Sequence, residues 1–174
     1  SLAKVPFSDE QERQVAGFVK LNTMTNTSRQ AGRIAPTEFC PAVLPSALRY
    51  DAEKNPKGAR CDVYDHTVNA YGRDPKTGFA RRPLDNVGVQ YGLGALNAGA
   101  ITKEQFLDLN EQIGGYDEDA GFSPARTTAD LVATRAAYRT GRLTHGGGGL
   151  ARTPIIDYRN YTDDLPNGDI HLRY

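Results

Sequence analysis

The sequence predicts part of an α/β protein, with a mainly helical cap and at least one strand of a core sheet. Four segments place apolar residues at helical spacing. A glycine-rich connector at residues 145–149 follows the last of them, and a segment rich in β-branched and aromatic residues comes next. Helices, a connector and then a strand are the order expected where a cap rejoins a sheet. We therefore divide the chain into a cap region, residues 1–145, and a return to the core, residues 146–174.

The first helix is predicted from a capping box formed by Ser8 and Gln11. Apolar residues continue at helical spacing to about residue 21, and they are Val15, Phe18 and Val19. A run rich in Thr, Asn and Gly then predicts a surface loop over residues 22–33.

The two cysteines, Cys40 and Cys61, enclose 20 residues that contain three prolines and a glycine. This stretch has little helical or strand periodicity, so a disulfide between its ends would hold it in place. Closing such a loop stabilises a fold by roughly 3 kcal/mol and suits an exported protein. The alternatives are two unrelated buried thiols and, less favoured, a zinc site, for which two lone cysteines make a poor ligand set.

Two helices are predicted in the middle of the chain after residues 63–71, which read as a short strand or a turn of helix. Residues 85–97 place Val89, Leu93 and Leu96 on one stripe, with Gly99 as a stop signal. The next helix begins with a second capping box and ends at Gly114. Its capping and apolar residues are Thr102, Gln105, Phe106, Leu109 and Ile113. We expect the two helices to form a hairpin.

The fourth helix is predicted over residues 128–140, ending at Gly141. Its apolar positions are Leu131, Val132, Ala136 and Tyr138. After the connector, residues 153–161 are predicted to form a buried strand.

Composition excludes several classes of function. Among 174 residues, 21 Lys and Arg balance 21 Asp and Glu, so no net field favours nucleic acid or an anionic membrane surface as a partner. No apolar run approaches the ~18 residues of a membrane span. The chain begins with Ser and ends without a polar tail, so we expect that any targeting peptide has been removed and that this is a piece of something longer.

A serine nucleophile in an α/β protein needs a sharp turn with glycine on either side. None of the five serines has the Gly-x-Ser-x-Gly surroundings, and Ser8 and Ser123 are better explained as a helix cap and a turn residue. The run from His145 to Gly149 is similar to an esterase oxyanion loop, but it lies too late in the chain. A hinge or crossover is the favoured interpretation.

The residues after the predicted strand are the strongest catalytic candidates. Asp163, Asp164, Asp169 and His171 follow it directly, where α/β enzymes place ligand-facing residues. A carboxylate there would orient a histidine that takes the proton of a serine. The alternative is a turn with aspartate caps and a solvated histidine.

Three other charged clusters have mainly structural interpretations. Residues 116–121 are similar to the start of a calcium loop but place Thr128, not Glu, at the twelfth position. Asp62, Asp65 and His66 fall short of a metal site and favour structural hydrogen bonding. A third cluster can bind a substrate carboxylate or, as favoured, pair with acidic neighbours. Its members are Arg73, Arg81 and Arg82.

Five segments resemble a bacterial family of unknown function, number 6351, of tannase- and feruloyl-esterase-like α/β-hydrolases. They are NPKGARC at 55–61, GRDPKTGFARRPLDNVGVQYG at 72–92, IGGYD at 113–117, PIIDYR at 154–159 and GDIH at 168–171. The likeness spans most of the chain, and residues 82–92 are its most distinctive stretch.

The resemblance implies that this chain is the cap and the return into the sheet of a serine hydrolase. The nucleophile then lies on an upstream segment or a companion chain. Asp163, whose spacing to Pro166 resembles the Asp-x-x-Pro of relatives, is the candidate acid, with Asp164 as the adjacent alternative. His171 is the candidate histidine or a helix cap, since relatives often place the histidine farther downstream. Arg82 and Tyr91 are the candidate substrate-binding residues.

The sequence thus predicts part of a secreted or periplasmic hydrolase that cleaves an ester or, less favoured, an amide. We expect a small ester or oligomeric substrate and no cofactor, metal, nucleic acid or membrane. The competing hypothesis is a noncatalytic binding or assembly module that docks a partner protein through its Tyr and Arg residues.

Overall fold

Among the described residues, helices make up most of the regular secondary structure, and the strands form a single two-stranded sheet. The computed structural model describes residues 4–18, 29–143, 145–156 and 158. In these residues the α-helices are α1 Asp9–Ala16, α2 Val63–His66, α3 Val68–Tyr71, α4 Leu93–Asn97, α5 Lys103–Gln112 and α6 Leu131–Arg139. Strands β1 Gly115–Tyr116 and β2 Phe122–Ser123 form an antiparallel pair. Three 3₁₀ helices are Arg29–Ile34, Ser46–Leu48 and Leu150–Arg152. No described helix has both the length and the apolar character needed to cross a membrane.

The predicted capping box starts α1. The Ser8 hydroxyl accepts from the N–H of Gln11 at 3.3 Å, and the Gln11 side chain accepts from the N–H of Ser8 at 3.0 Å. The helix ends at Ala16, earlier than predicted, because Gly17 adopts φ 74° and its N–H bonds to Arg13. Of the loop expected over residues 22–33, residues 22–28 lie outside the described part, and Arg29–Ile34 is a 3₁₀ helix.

The second capping box starts α5, and the two boxes are bonded to each other. The Gln11 amide donates to the carbonyl of Ala100 at 3.0 Å and to the Gln105 side-chain oxygen at 3.3 Å. The Gln105 amide in turn donates to the carbonyl of Pro6 at 3.2 Å. The same side chains that begin the two helices therefore also fix how their N-termini meet.

The helix predicted over residues 85–97 is shorter in the structure, where α4 covers only the last turn. Asp85 and Asn86 accept from the N–H groups of Ala129 and Thr127 at 2.9 and 2.7 Å, which holds the preceding backbone in a turn against another segment. Gly92 then takes φ 79° immediately before α4. The predicted hairpin exists in this shortened form, with Leu109 of α5 fully buried.

Helix α6 buries only one of the four apolar positions predicted for it, Ala136. Asp130 caps it by accepting from the N–H of Ala133 at 2.9 Å, so it starts at Leu131. The side chains buried against the core, where α6 packs on α3, are Ala133, Ala136 and Ala137. The larger apolar positions of the prediction, Leu131, Val132 and Tyr138, are 70%, 55% and 51% exposed.

The β1–β2 pair was not expected from the sequence. It places Tyr116 opposite Phe122, with residues 117–121 as the connecting turn. Two glycines let the backbone at residues 114 and 115 lie close to Ser123 and Thr127. A Cβ on Gly114 would lie 2.2 Å from the carbonyl of Ser123, and one on Gly115 would lie 2.3 Å from the Thr127 hydroxyl.

The buried strand predicted over residues 153–161 is wrong for the part that the structure describes. Residues 153–156 and 158 form no strand, and Ile156 is 95% exposed. No described strand lies beside them to complete a ladder, so their backbone has no β partner. Residues 157 and 159–161 lie outside the described part. The proposed division at residue 146 stays a prediction.

The disulfide between Cys40 and Cys61 is confirmed, with 5.0 Å between the two Cα atoms. Inside the enclosed segment, the Arg49 side chain donates to the carbonyl of Leu44 at 2.8 and 3.0 Å, and Tyr50 N–H bonds to Ala59. Polar bonds and a covalent bond thus replace the regular helix or sheet that this segment lacks.

Reducing the Cys40–Cys61 bond should lower the free energy of unfolding by roughly 3 kcal/mol, because the unfolded chain regains the freedom of a closed loop. Urea unfolding of oxidised protein, reduced protein and the Cys40→Ala/Cys61→Ala variant measures this change. The reduced protein and the variant should agree. Uptake of two alkyl groups by unreduced protein, seen by intact mass, would contradict the bond.

Candidate functional site

A buried arginine lies at the wall of a large cavity. The Arg60 side chain is only 3% exposed, and its guanidinium carbon is 4.3 Å from the ring centroids of both Tyr50 and Phe79. It pairs with Asp62 at 3.3 Å and with Asp119 at 2.8 Å. The two rings and the two carboxylates therefore replace the water that a guanidinium normally binds.

Local sequence positions the carboxylates of this cluster. Asp62 is the N-cap of α2 and accepts from the N–H groups of Tyr64 and Asp65 at 2.9 and 3.0 Å. Asp65, three positions further along the chain, pairs with Arg73 at 2.9 Å. These two residues serve the structural hydrogen bonding that was expected of them.

The electrostatics of the cluster follow from burial and these pairs. Burial opposes the charge of Arg60, but its bond to Asp119 and the charge of Asp62 outweigh it, so the pKa of Arg60 is raised. Burial raises the pKa of the Tyr50 hydroxyl, and its 2.9 Å bond to Asp119 adds to the effect. Arg60 therefore stays charged and Tyr50 stays protonated at neutral pH.

The acidic turn at residues 117–121 binds arginines through its backbone and carboxylates. Asp117 accepts from the N–H groups of Asp119 and Gly121 at 2.9 and 2.7 Å, while Ala120 takes φ 63°. The carbonyl of Glu118 accepts from both Arg60 and Arg82. The turn, which has a weak likeness to a calcium loop, thus holds two side-chain cations.

The disulfide cavity, about 890 Å³, lies beside this cluster. Residues on its wall include Lys57, Arg60, Cys61, His66, Arg73 and Phe79. Its volume is in the range of small-molecule sites. The carboxylates on its wall, Asp62 and Asp65, are bonded to Arg60, Arg73 and N–H groups, so the same bonds occupy these two arginines of the wall.

The tyrosine cavity, about 770 Å³, lies at the C-terminal end of α5. Its wall includes Lys4, Tyr91, Glu111, Tyr116 and Phe122. Tyr91 is held by Asn110, which accepts from its N–H at 3.0 Å and donates to its carbonyl at 2.8 Å. The Arg126 guanidinium lies 5.0 Å from the Tyr91 ring centroid, so the position of this ring is well fixed.

Arg82 lies on a third and smaller cavity of about 390 Å³, which we call the arginine cavity. Its guanidinium lies 4.8 Å from the Tyr64 ring centroid and donates to the carbonyl of Asp117 at 3.0 Å. The two candidate substrate-binding residues, Arg82 and Tyr91, thus line different cavities, with Tyr116 on the wall of both. Their substrate-binding role stays a prediction.

Of the three arginines expected to pair with acidic neighbours, two do so. Arg73 pairs with Asp65, and Arg81 pairs with Asp130. Arg82 instead donates to backbone carbonyls of the acidic turn.

The catalytic candidates Asp163, Asp164 and His171 lie outside the described residues. The described histidines are His66 and His145. Within the described part, neither is hydrogen-bonded to a serine or a carboxylate, and the His145 ring centroid lies 5.3 Å from that of Tyr138. The described serines include Ser8, which caps α1, and Ser123, which lies in β2.

Sequence reasoning missed the Arg60 cluster because its members are far apart in the chain. Asp119 is 59 positions from Arg60. The only local pattern was Asp62 before two helical turns. This pattern predicts an N-cap but not a buried cation.

The family that the sequence resembles is confirmed. The sequence model of a tannase-like family of unknown function (DUF6351) matches residues 2–174. The chain belongs to this family. Neither a curated protein nor a solved structure matches it.

The most distinctive stretch of this tannase-like chain, residues 82–92, connects three parts of the fold. The Asn86 side chain accepts from the N–H of Thr127 at 2.7 Å and donates to the carbonyl of Gly114 at 2.9 Å. Arg126 donates to the carbonyl of Asn86 at 3.1 Å. The stretch therefore fixes the wall between the tyrosine and arginine cavities.

Replacing Arg60 by Met should lower the free energy of unfolding by about 3 kcal/mol or more. Asp62, whose side chain is 1% exposed, would keep a buried charge without its cation. Urea unfolding measures this, with the exposed Arg33→Met as a control that should change stability by less than about 0.5 kcal/mol. A loss below about 1 kcal/mol for Arg60→Met would contradict the assigned role.

Asp130→Asn should destabilise the protein by about 1 kcal/mol at pH 7, and the difference should vanish in acid. Partial burial tends to raise the pKa of Asp130, but the N–H of Ala133 and the Arg81 guanidinium outweigh it, so the folded-state pKa is lowered. The carboxylate thus stabilises the fold above about pH 4, and this contribution is lost as the pH falls through the lowered pKa.

Urea unfolding between about pH 2 and pH 7 tests this, since Asn keeps the helix cap and removes only the charge. In an Arg81→Met background, Asp130→Asn should lower the free energy of unfolding much less. A pH-independent loss, or an equal loss in that background, would contradict the ion pair.

Proposed function

We propose that this chain is the cap-bearing part of a secreted or periplasmic serine α/β-hydrolase. It cleaves an ester or, less favoured, an amide, with the nucleophilic serine on an upstream segment or a companion chain. The observation that carries the proposal is the match to a tannase-like family over residues 2–174.

The chemistry of the described residues supports a nucleophile from outside this chain. None of the five serines has the glycine-flanked setting that presents a hydroxyl in this class of enzyme. The described histidines, His66 and His145, make no hydrogen bond to a carboxylate within the described part. A triad built on this fold therefore needs a serine supplied by other residues.

The proposed contribution of this chain to the chemistry is the acid. Asp163, or the adjacent Asp164, would accept a hydrogen bond from the catalytic histidine, fix its tautomer and stabilise the imidazolium that forms when it takes the serine proton. His171 is the candidate for that histidine within this chain. The carboxylate does not itself take the proton.

The proposed contribution to binding comes from the cap. The tyrosine cavity offers aromatic rings with a few polar groups, as ligand sites usually do, and Tyr91 is held there by backbone bonds. Arg82 lies on the neighbouring arginine cavity, so an extended or oligomeric substrate could reach both across Tyr116. No cofactor or metal is part of this proposal.

The disulfide supports the proposed compartment, because such bonds persist in oxidising environments outside the cytosol.

A noncatalytic docking module is the second candidate. It is favoured by the exposed apolar and arginine residues on the outer side of α6, where Leu131 is 70% exposed. A fluorophosphonate probe separates the two candidates, because it labels an activated serine. If no serine of the complete assembly is labelled, the docking module is the correct function.

With p-nitrophenyl esters, the assembly of this chain and the serine-bearing part should be active. Asp163→Asn should lower kcat by on the order of 10⁴-fold, since the histidine loses its orienting carboxylate. Asp164→Asn distinguishes the adjacent candidate, and the exposed Asp108→Asn on α5 is the matched control that should keep full activity. Full activity of Asp163→Asn would remove that residue from the triad.

A further inference from the structure

The large apolar residues of the segment from 131 to 158 are exposed, both on α6 and in the residues that follow it. Every described residue of this segment that is large and apolar is exposed, whereas the ones buried in α6 are alanines. The exposed ones are Leu131, Val132, Tyr138, Leu143, Leu150, Ile155, Ile156 and Tyr158. A helix that only covers its own core shows the opposite distribution.

The same segment concentrates positive charge. Residues 131–156 contain Arg135, Arg139, Arg142 and Arg152 and no Asp or Glu, although the whole chain has a net charge of zero. None of the four makes an ion pair within the described part of the chain. By contrast, Arg60, Arg73 and Arg81 all pair with carboxylates.

We define the basic face as five exposed residues of α6: Leu131, Val132, Arg135, Tyr138 and Arg139. Helical spacing puts Arg135 between Leu131 and Tyr138, so charge and apolar area alternate on one side. Arg and Tyr are the residue types that most often dominate protein interfaces, and Arg binds carboxylates with two parallel hydrogen bonds. A helix exposed only to water would more often mix charges of both signs.

The chemistry favours a protein partner over a polyanion. Leu131 and Val132 make no favourable contact with a phosphate backbone, whereas together with Tyr138 they fit the apolar centre of a protein interface. The arginines beside them pair with no carboxylate in the described part, so a partner that carries carboxylates complements this face.

We propose that the basic face docks on a carboxylate-bearing apolar patch of the serine-bearing part of the hydrolase. The identity of this partner rests on the proposed function, while the chemistry of the surface does not. The alanine side of α6 packs on α3. In the proposed arrangement, the basic face on the other side contacts the catalytic part.

Binding between this chain and the purified serine-bearing polypeptide tests the proposal. Arg135→Glu/Arg139→Glu should raise Kd by about 10-fold or more, because it sets like charges against the carboxylates. The control Lys54→Glu/Lys76→Glu makes the same change in net charge at exposed residues elsewhere and should stay within about 2-fold. Wild-type Kd should rise as NaCl goes from about 0.05 to 0.5 M.

Photo-crosslinking covers the case in which both parts lie in one polypeptide and guards against misfolded variants. Benzoylphenylalanine in place of Tyr138 should crosslink to an acidic segment of the serine-bearing part, and the same group in place of Lys54 should not. Equal affinity of both double variants, or no crosslink from position 138, would overturn the proposal.

Three other probes identify a different occupant. One outcome is that the wild type binds a 20-base-pair DNA duplex or phosphatidylserine vesicles and Arg135→Glu/Arg139→Glu does not. If that variant still binds the serine-bearing polypeptide normally, the proposal is overturned in favour of a polyanion-binding surface. Self-association lost in that variant would favour a second copy. Fluorophosphonate labelling of the same samples tests the two proposals separately. Docking without a labelled serine would contradict the proposed hydrolase function. Labelling without docking would contradict the proposed role of the basic face.

Discussion

The Arg60 guanidinium, closed off between two rings and two carboxylates, joins three separate parts of the chain. Its neighbours come from the disulfide-bounded segment, from Phe79 and from the turn that carries Asp119. Taking a guanidinium out of water costs several kcal/mol, and only well-placed carboxylates and hydrogen bonds offset that cost. The three parts must therefore meet in one arrangement for the charge to be tolerated, which makes the cluster a source of specificity as well as stability.

The disulfide and this charge cluster act on adjacent residues. Cys61 follows Arg60, so the covalent bond limits where the loop can go and the ion pairs fix it against the acidic turn. Arg82 uses the same carbonyl of Glu118, which extends the connection toward the arginine cavity. A segment with almost no regular secondary structure is thereby held against the rest of the fold.

Features that depend on a few neighbouring residues could be predicted from the sequence, and features that depend on distant partners could not. Both capping boxes formed as expected because their atoms lie within one helical turn. The helix predicted from residue 85 failed because Asp85 and Asn86 bond to residues more than 40 positions away. In α6 the periodicity was right but, of the predicted apolar positions, only Ala136 is buried, since alanines allow a closer approach than leucine or tyrosine. The candidate substrate residues Arg82 and Tyr91 were found by family resemblance, and their places on two different cavities followed only from the fold.

The shared capping boxes explain why glutamine, and not glutamate, stands at the third position of both helices. Either residue accepts the N–H of the capping residue equally well. A carboxylate, however, has no hydrogen to give, whereas Gln11 must also donate to Ala100 and Gln105 to Pro6. Glutamate at either position would place an oxygen where the amide nitrogen now donates to a backbone carbonyl, and so weaken the contact between the starts of the two helices.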